Sequence, residues 1–148
     1  MFIGEHIVKL DDKGRLVFPA QFKAMAERQG SGALRFVVKK SLFRRCLEIF
    51  TEEEFEQETK DAKLRLNRFN EEHDILMDNY MRDCAPVEPD GKMGRIFIPK
   101  YLLEKIDVCK EVVFAGKFEK IELWAKEHYQ ETKLTDSDYL ALVRKNLG

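Results

Sequence analysis

An arginine with a glycine before it and a proline four residues after it occurs twice in this chain. Asp11–Pro19 reads DDKGRLVFP and Gly91–Pro99 reads GKMGRIFIP, an offset of 80 between Gly14 and Gly94. The chemistry available to Arg15 and Arg95 is that of a planar, permanently charged fork, which binds guanine O6/N7 or a phosphate in two places at once. A glycine beside each arginine lets backbone come close to a ligand. The competing reading is structural, with each arginine bridging to Asp11 or to the other copy. Lys9, Lys13 and Lys92 lie in or beside the two motifs, and Lys39, Lys40, Arg44 and Arg45 form a basic loop. Such lysines either neutralise phosphates, which makes affinity fall steeply with salt, or simply solvate a face.

Other chemistry finds little support. Asp11 and Asp12 are neighbouring carboxylates, but consecutive turn residues of this type cap backbone N–H groups more often than they move protons. His6, His73 and His128 have no spacing that makes a zinc site or a nucleophile–base pair. Cys46, Cys84 and Cys109 are odd in number and far apart, with no C-x-x-C pair, which fits free thiols in a reducing compartment. No catalysis, metal, cofactor or small-molecule substrate is therefore expected. The start, MFIGEHIVKLDD, lacks the pattern of a signal peptide, and no apolar run reaches the ~18 residues of a membrane span.

The net charge of −1 hides an asymmetry: Lys9–Arg45 carries 10 basic and 3 acidic residues, whereas Cys46–Glu72 carries 9 acidic and 4 basic. Such a split means an anionic partner at one face or two segments that neutralise each other.

The elements that position the motifs emerge from pattern. Ile7–Leu10 reads as a strand, Asp11–Gly14 as a turn and Arg15–Phe18 as a second strand. Pro19 opens a helix carrying Phe22, Met25 and Ala26, which Gly30-Ser31-Gly32 stops. Leu34–Lys39 and Cys46–Phe50 read as two more strands. The second segment repeats the order: a turn around Asp90-Gly91, the strand Ile96–Ile98, a helix opened by Pro99, and strands Glu111–Ala115 and Lys120–Trp124, with Trp124 in the core. Leu47-Glu48-Ile49-Phe50 echoes Ile121-Glu122-Leu123-Trp124. The chain thus writes β-β-α-β-β twice. Between the copies, Thr51 with Glu54 makes a capping box. Phe55, Ala62, Phe69 and Leu76 then recur every seven residues, with His73 beside them, which predicts one long helix over 52–82. A second capped helix starts near Thr135 with Tyr139, Leu140, Val143 and Leu147. The apolar stripes of both helices either pack on the sheet or make subunit contacts.

D-x-K-G-R-x-x-x-P in the first half, G-R-I-x-I-P and E-L-W in the second, and Met1-Phe2-x-Gly4 at the start resemble the MraZ family over nearly the whole chain. These are bacterial regulators of the division and cell-wall gene cluster, built from two SpoVT-AbrB-like DNA-binding modules. The resemblance implies an α+β fold in which tandem β-β-α-β-β repeats form one AbrB-like swapped-hairpin β-barrel. It places repeats at 5–54 and 85–128, a connecting helix at 55–84 and a helical tail at 129–148. It implies DNA-binding roles for Lys9, Lys13, Gly14, Arg15, Lys92, Gly94 and Arg95, the lysines positioning and the arginines reading bases. It further implies double-stranded promoter DNA as partner, including the chain's own promoter, and a ring-shaped homo-oligomer that is cytoplasmic and nucleoid-associated. Asp90 stands one position earlier than the pattern wants, so the second turn is one residue longer or differently paired. An AbrB-type antitoxin, a structural ring without DNA binding and a small hydrolase using Asp11 and a histidine are the other classes to weigh.

Overall fold

The computed structural model of the chain describes residues 1–30 and 34–148 and is an α+β fold. The first segment contributes β1 (Glu5–Lys9), β2 (Arg15–Val17), α1 (Ala20–Gln29), β3 (Phe36–Lys40) and β4 (Leu47–Thr51). After α2 (Glu52–Arg65) and α3 (Glu71–Arg82), the second segment contributes β5 (Cys84–Val87), β6 (Arg95–Phe97), α4 (Lys100–Lys105), β7 (Glu111–Lys117) and β8 (Lys120–Ala125). Two helices close the chain, α5 (Lys126–Glu131) and α6 (Asp136–Leu147). Pro19 and Pro99 stand at the N-caps of α1 and α4, where a residue without an N–H loses nothing. Gly30 caps the end of α1, while Ser31 and Gly32 of the expected helix stop lie outside the described residues.

The two segments do not fold side by side. The larger sheet runs β1-β7-β8-β4-β3-β5, and all its pairings are antiparallel. Its first-segment strand β1 pairs with second-segment β7, and second-segment β5 pairs with first-segment β3. The two last strands, β4 and β8, meet in the middle. A separate ribbon pairs β2 with β6. The copies thus exchange their first strands, β1 and β5, and pair their second strands and their fourth strands with each other, so neither copy completes a sheet from its own strands. The core records the duplication: Leu16 with Ile96, Phe18 with Ile98 and Phe22 with Leu102 are all buried. Phe18 lies 4.8 Å from Phe36 and 5.8 Å from Phe114, joining both halves in one aromatic cluster.

The middle of the sheet also buries charge. Glu48 and Glu122 face each other across β4 and β8, a placement that repels unless neutralised. Lys39 Nζ lies 3.3 Å from Glu48, Lys120 binds the other Glu48 oxygen, and Lys117 lies 3.3 Å from Glu122. The Trp124 indole N–H donates to Glu122 at 3.1 Å. Burial pushes the Glu48 carboxyl up, but hydrogen bonds and charge from Lys120 and Lys39 outweigh it and hold the group below its ordinary value.

The long helix expected over 52–82 is two helices. Thr51 caps the first as its sequence predicts, accepting from the Glu54 N–H at 3.2 Å. Leu66 then turns extended, and Asn70 starts a new helix by accepting from the N–H groups of Glu72 and His73. Asn67 completes the break, its side chain accepting from the Phe69 N–H and its own N–H donating to His73 Nδ1 at 2.9 Å. Two asparagines compete for the backbone more strongly than a seven-residue apolar period holds it. His73, expected to pack along the stripe, instead serves this turn, and Phe69 is 89% exposed. The helix α5 has no side-chain cap to announce it, because Ala125 leads directly from β8 into its first turn.

Candidate nucleic-acid interface

The β2–β6 ribbon is three residues long on each side, with Leu16 opposite Ile96, Arg15 opposite Phe97 and Val17 opposite Arg95. Strand side chains alternate between faces, so the buried Leu16 and Ile96 put Arg15, Val17, Arg95 and Phe97 together on the other face. The apolar pair anchors the ribbon to the core. Each arginine stands at the start of its strand, where a glycine turn delivers it.

The first turn is tight. Gly14 takes φ +77°, a conformation that side chains with a Cβ rarely adopt, and its N–H donates to the Asp11 carbonyl at 3.0 Å. The Asp11 side chain organises the rest of the turn and the start of β2. Its Oδ1 accepts from the N–H groups of Lys13 (2.9 Å) and Arg15 (2.8 Å), and its Oδ2 accepts from Arg15 Nε at 3.0 Å. The same Oδ2 lies 3.8 Å from Arg95 Nε. The Arg15 backbone N–H first, with Lys13 and the Arg15 side chain adding to it, holds the Asp11 carboxyl below its ordinary value despite some desolvation.

The second turn is one residue longer. Asp90 and Arg95 exchange two backbone hydrogen bonds, at 2.8 and 2.9 Å, and both Gly91 and Gly94 take positive φ. The Asp90 carboxylate accepts from its neighbour Gly91 N–H at 2.9 Å and has no part in an ion pair with Arg95 among the described residues. Of the two alternatives left by the shifted aspartate, a longer turn or a different pairing, the structure has the longer turn, and its consequence is specific. Both arginines of the ribbon gather around a single carboxylate, Asp11, supplied by the first copy.

The structural reading of the two arginines and the binding reading are compatible. Each guanidinium approaches Asp11 most closely through Nε. A guanidinium held at Nε keeps its terminal edge for a bidentate partner. Lys13 and Lys92 are exposed in the two turns, and Lys9 is exposed at the end of β1, opposite Glu111. Phe97, 59% exposed on the ribbon's open face, escaped sequence reasoning, although strand alternation from the buried Ile96 places it there.

The basic loop does not join this face as a set of free cations. Lys39 is 5% exposed, paired to Glu48 and 4.7 Å over the Tyr80 ring. Lys40 Nζ donates to the carbonyls of Ser41 and Arg44. Arg44 stacks 4.9 Å over Trp124, and Arg45 lies 3.2 Å from Asp107. These side chains hold the β3–β4 loop together, which is why a run of basic letters overstates the anionic footprint.

No group of three or more His, Cys, Asp or Glu side chains among the described residues is arranged to hold a metal. The Cys46 thiol is buried and pushed up to about 12 by desolvation, first of all, and by Glu122 and Glu48. That removes it as a nucleophile. Among the described residues no helix is long and apolar enough to cross a membrane.

Comparison with known proteins identifies the family. The family model described as "MraZ protein, putative antitoxin-like" matches residues 1–78 and 83–138. A protein named transcriptional regulator MraZ from Bacteroides thetaiotaomicron is 31% identical over 144 residues, covering 97% of this chain and 90% of the relative. One of the same name from Bacteroides fragilis is 34% identical over 130 residues, covering 88% and 80%. Another, from Dictyoglomus thermophilum, is 34% identical over 140 residues, covering 88% and 84%. Matched along almost its entire length, with both glycine–arginine turns inside the matched segments, this chain belongs to the MraZ family.

Proposed function

We propose that the chain is a non-enzymatic, sequence-specific regulator of transcription that grips double-stranded DNA with the β2–β6 ribbon. The observation that carries this reading is the convergence of Arg15 and Arg95, from the two copies, on one open face around Asp11. A two-stranded β-ribbon fits the major groove, where an arginine fork reads guanine O6 and N7. Lys9, Lys13 and Lys92 flank the fork pair as phosphate contacts, and Gly14 and Gly94 supply the backbone turns that present it. On this reading the exchanged strands make one swapped-hairpin barrel of the SpoVT-AbrB kind from repeats 5–54 and 85–128, with 55–84 connecting and 129–148 as a tail. The motif is doubled because the barrel and its DNA face each need two copies. The targets are promoter repeats of the division and cell-wall gene cluster, the chain's own promoter included. Copies assemble into a ring in the cytoplasm, on the nucleoid, so that several ribbons meet several DNA boxes.

The test is fluorescence anisotropy of the full chain on labelled duplex from upstream of its own gene, beside a shuffled duplex of equal length. A regulator binds the upstream duplex tighter by a factor of about 10³ or more at physiological salt. Equal, weak binding to both duplexes would reduce the chain to a generic polyanion binder.

A further inference from the structure

The last helix, α6, is fully formed but packs extensively on no other element among the described residues. Thr135 caps it by accepting from the Asp138 N–H at 3.2 Å, yet none of its residues is buried. Tyr139, Leu140, Leu142 and Leu147 are all exposed, with Leu140, Val143 and Leu147 at helical spacing along one stripe. A 12-residue helix is marginal in water unless an apolar face packs against something. The chain also carries an open groove with an apolar floor. Between α2, α3 and the β3–β4 loop lies a cavity of about 670 Å³ floored by Phe50, Ala62, Leu66, Leu76 and Tyr80. A recess of about 170 Å³ deepens it between α2 and α3, lined by Leu66, Leu76, Met77 and Met81 with Thr59 and Lys63 beside them.

We infer that this groove receives α6 of a second copy, lying antiparallel to α2. Charge specifies both the occupant and its direction. The rim carries Glu54 and Glu58 in the first half of α2, and Asp61 near its end, where Lys63 and Arg65 supply two cations in the last turn. The helix α6 carries Asp136 and Asp138 in its first turn and Arg144 and Lys145 in its last. The spacings agree. Glu54/Glu58 to Lys63/Arg65 is about 12 Å along α2, and Asp136/Asp138 to Arg144/Lys145 is about 11 Å along α6, at 1.5 Å per residue. Antiparallel packing sets acid against base at both ends while Leu140, Val143 and Leu147 enter the groove. Docking into the chain's own groove is the weaker fit. The helix is tethered by residues 132–135 to α5, which packs on β7 and β8, whereas α2 and α3 pack on β3, β4 and β5. A groove on one copy filled by a helix of the next is a head-to-tail contact, which closes into a ring where the rotation between copies closes and otherwise runs on as an open chain. This assignment rests on the self-assembly part of the proposed function and names the surfaces that perform it.

The test is the assembly state of the full chain by light scattering across a dilution series. Arg144→Glu with Lys145→Glu, and separately Glu54→Lys with Glu58→Lys, alter only exposed or half-exposed side chains, so a thermal melt by circular dichroism checks that each variant folds. Each pair of reversals is expected to raise the concentration of half-assembly at least about tenfold, and combining the two pairs restores assembly. Leu140→Asp is expected to disperse the assembly without lowering the melting temperature of the dispersed protomer. A parent chain that stays a monomer throughout overturns the assembly reading itself. A parent that assembles while all variants assemble equally well overturns the groove assignment alone. Variants that lower the melting temperature of the protomer while leaving assembly unchanged place α6 in its own groove and also overturn it.

Discussion

Salt separates the lysines of the ribbon face from its arginines. If Lys9, Lys13 and Lys92 each neutralise one phosphate while Arg15 and Arg95 read bases, affinity falls as salt to the power of about 2.7 per engaged protomer, at about 0.9 per phosphate. Between about 50 and 200 mM that is roughly a 40-fold loss. Were both arginines on phosphates too, the power would be about 4.5 and the loss roughly 500-fold. Anisotropy titrations at several salt concentrations, on the upstream and shuffled duplexes, measure the power directly. Lys92→Ala is expected to lower it by about 0.9 and to weaken both duplexes by the same factor. Arg15→Ala is expected to cost about 1–3 kcal/mol on the upstream duplex and little on the shuffled one. A power near zero would exclude phosphate contacts by these lysines. Lys92→Ala that leaves the power unchanged, with Arg15→Ala weakening both duplexes equally, would overturn the division of labour between the two residue types.

Three further outcomes are expected from the same geometry. Because Asp11 holds both arginines and Asp90 holds neither, Asp11→Asn is expected to erode the preference for the upstream duplex while Asp90→Asn preserves it. Equal losses would show that the two turns act independently. Leu16→Ala and Ile96→Ala each remove a side chain at most 1% exposed, so each is expected to cost about 2–5 kcal/mol in denaturant unfolding. A cost under about 0.5 kcal/mol, the size of a surface substitution, would mean that the ribbon is not anchored through them. Finally, Glu48 gives up its proton more readily in the folded chain than in the unfolded one. Its contribution to stability is therefore complete above the ordinary 4.5 and lost as pH falls through the lower folded value. Urea midpoints taken downward from neutral pH should show that loss in the parent and a shallower one in Glu48→Gln. Superimposable profiles would show that Glu48 contributes nothing to the acid dependence.

Much of the fold is legible because duplication shows in letters. The glycine–arginine turns, the prolines that start α1 and α4, and the paired fourth strands all carry local signatures that tertiary packing does not override. The exchange of strands between copies is a long-range arrangement that no local letter states. It rests on the resemblance in the sequence and on the register of β1 with β7, β5 with β3 and β2 with β6 in the structure. The break between α2 and α3 is hidden beneath a seven-residue apolar period. Its signal is Asn67 and Asn70, whose side chains bind the backbone of a turn. Lys39 shows the limit of charge counting, since its letter resembles that of Lys13 while its ammonium group is buried against Glu48 and Tyr80. The sharing of Asp11 by both arginines needs the coordinates, because the sequence places Asp11 and Arg95 more than eighty residues apart.

If two arginines, one from each copy, read DNA as a unit, sequence preference must depend on both. This is measured by the ratio of affinities for the upstream and shuffled duplexes in the parent, Arg15→Ala, Arg95→Ala and the double variant at one salt concentration. Each single variant is expected to lower the ratio, and the double variant to bind both duplexes alike through its remaining lysines. A double variant that keeps the parent's ratio would contradict paired reading and move sequence recognition to another face of the molecule.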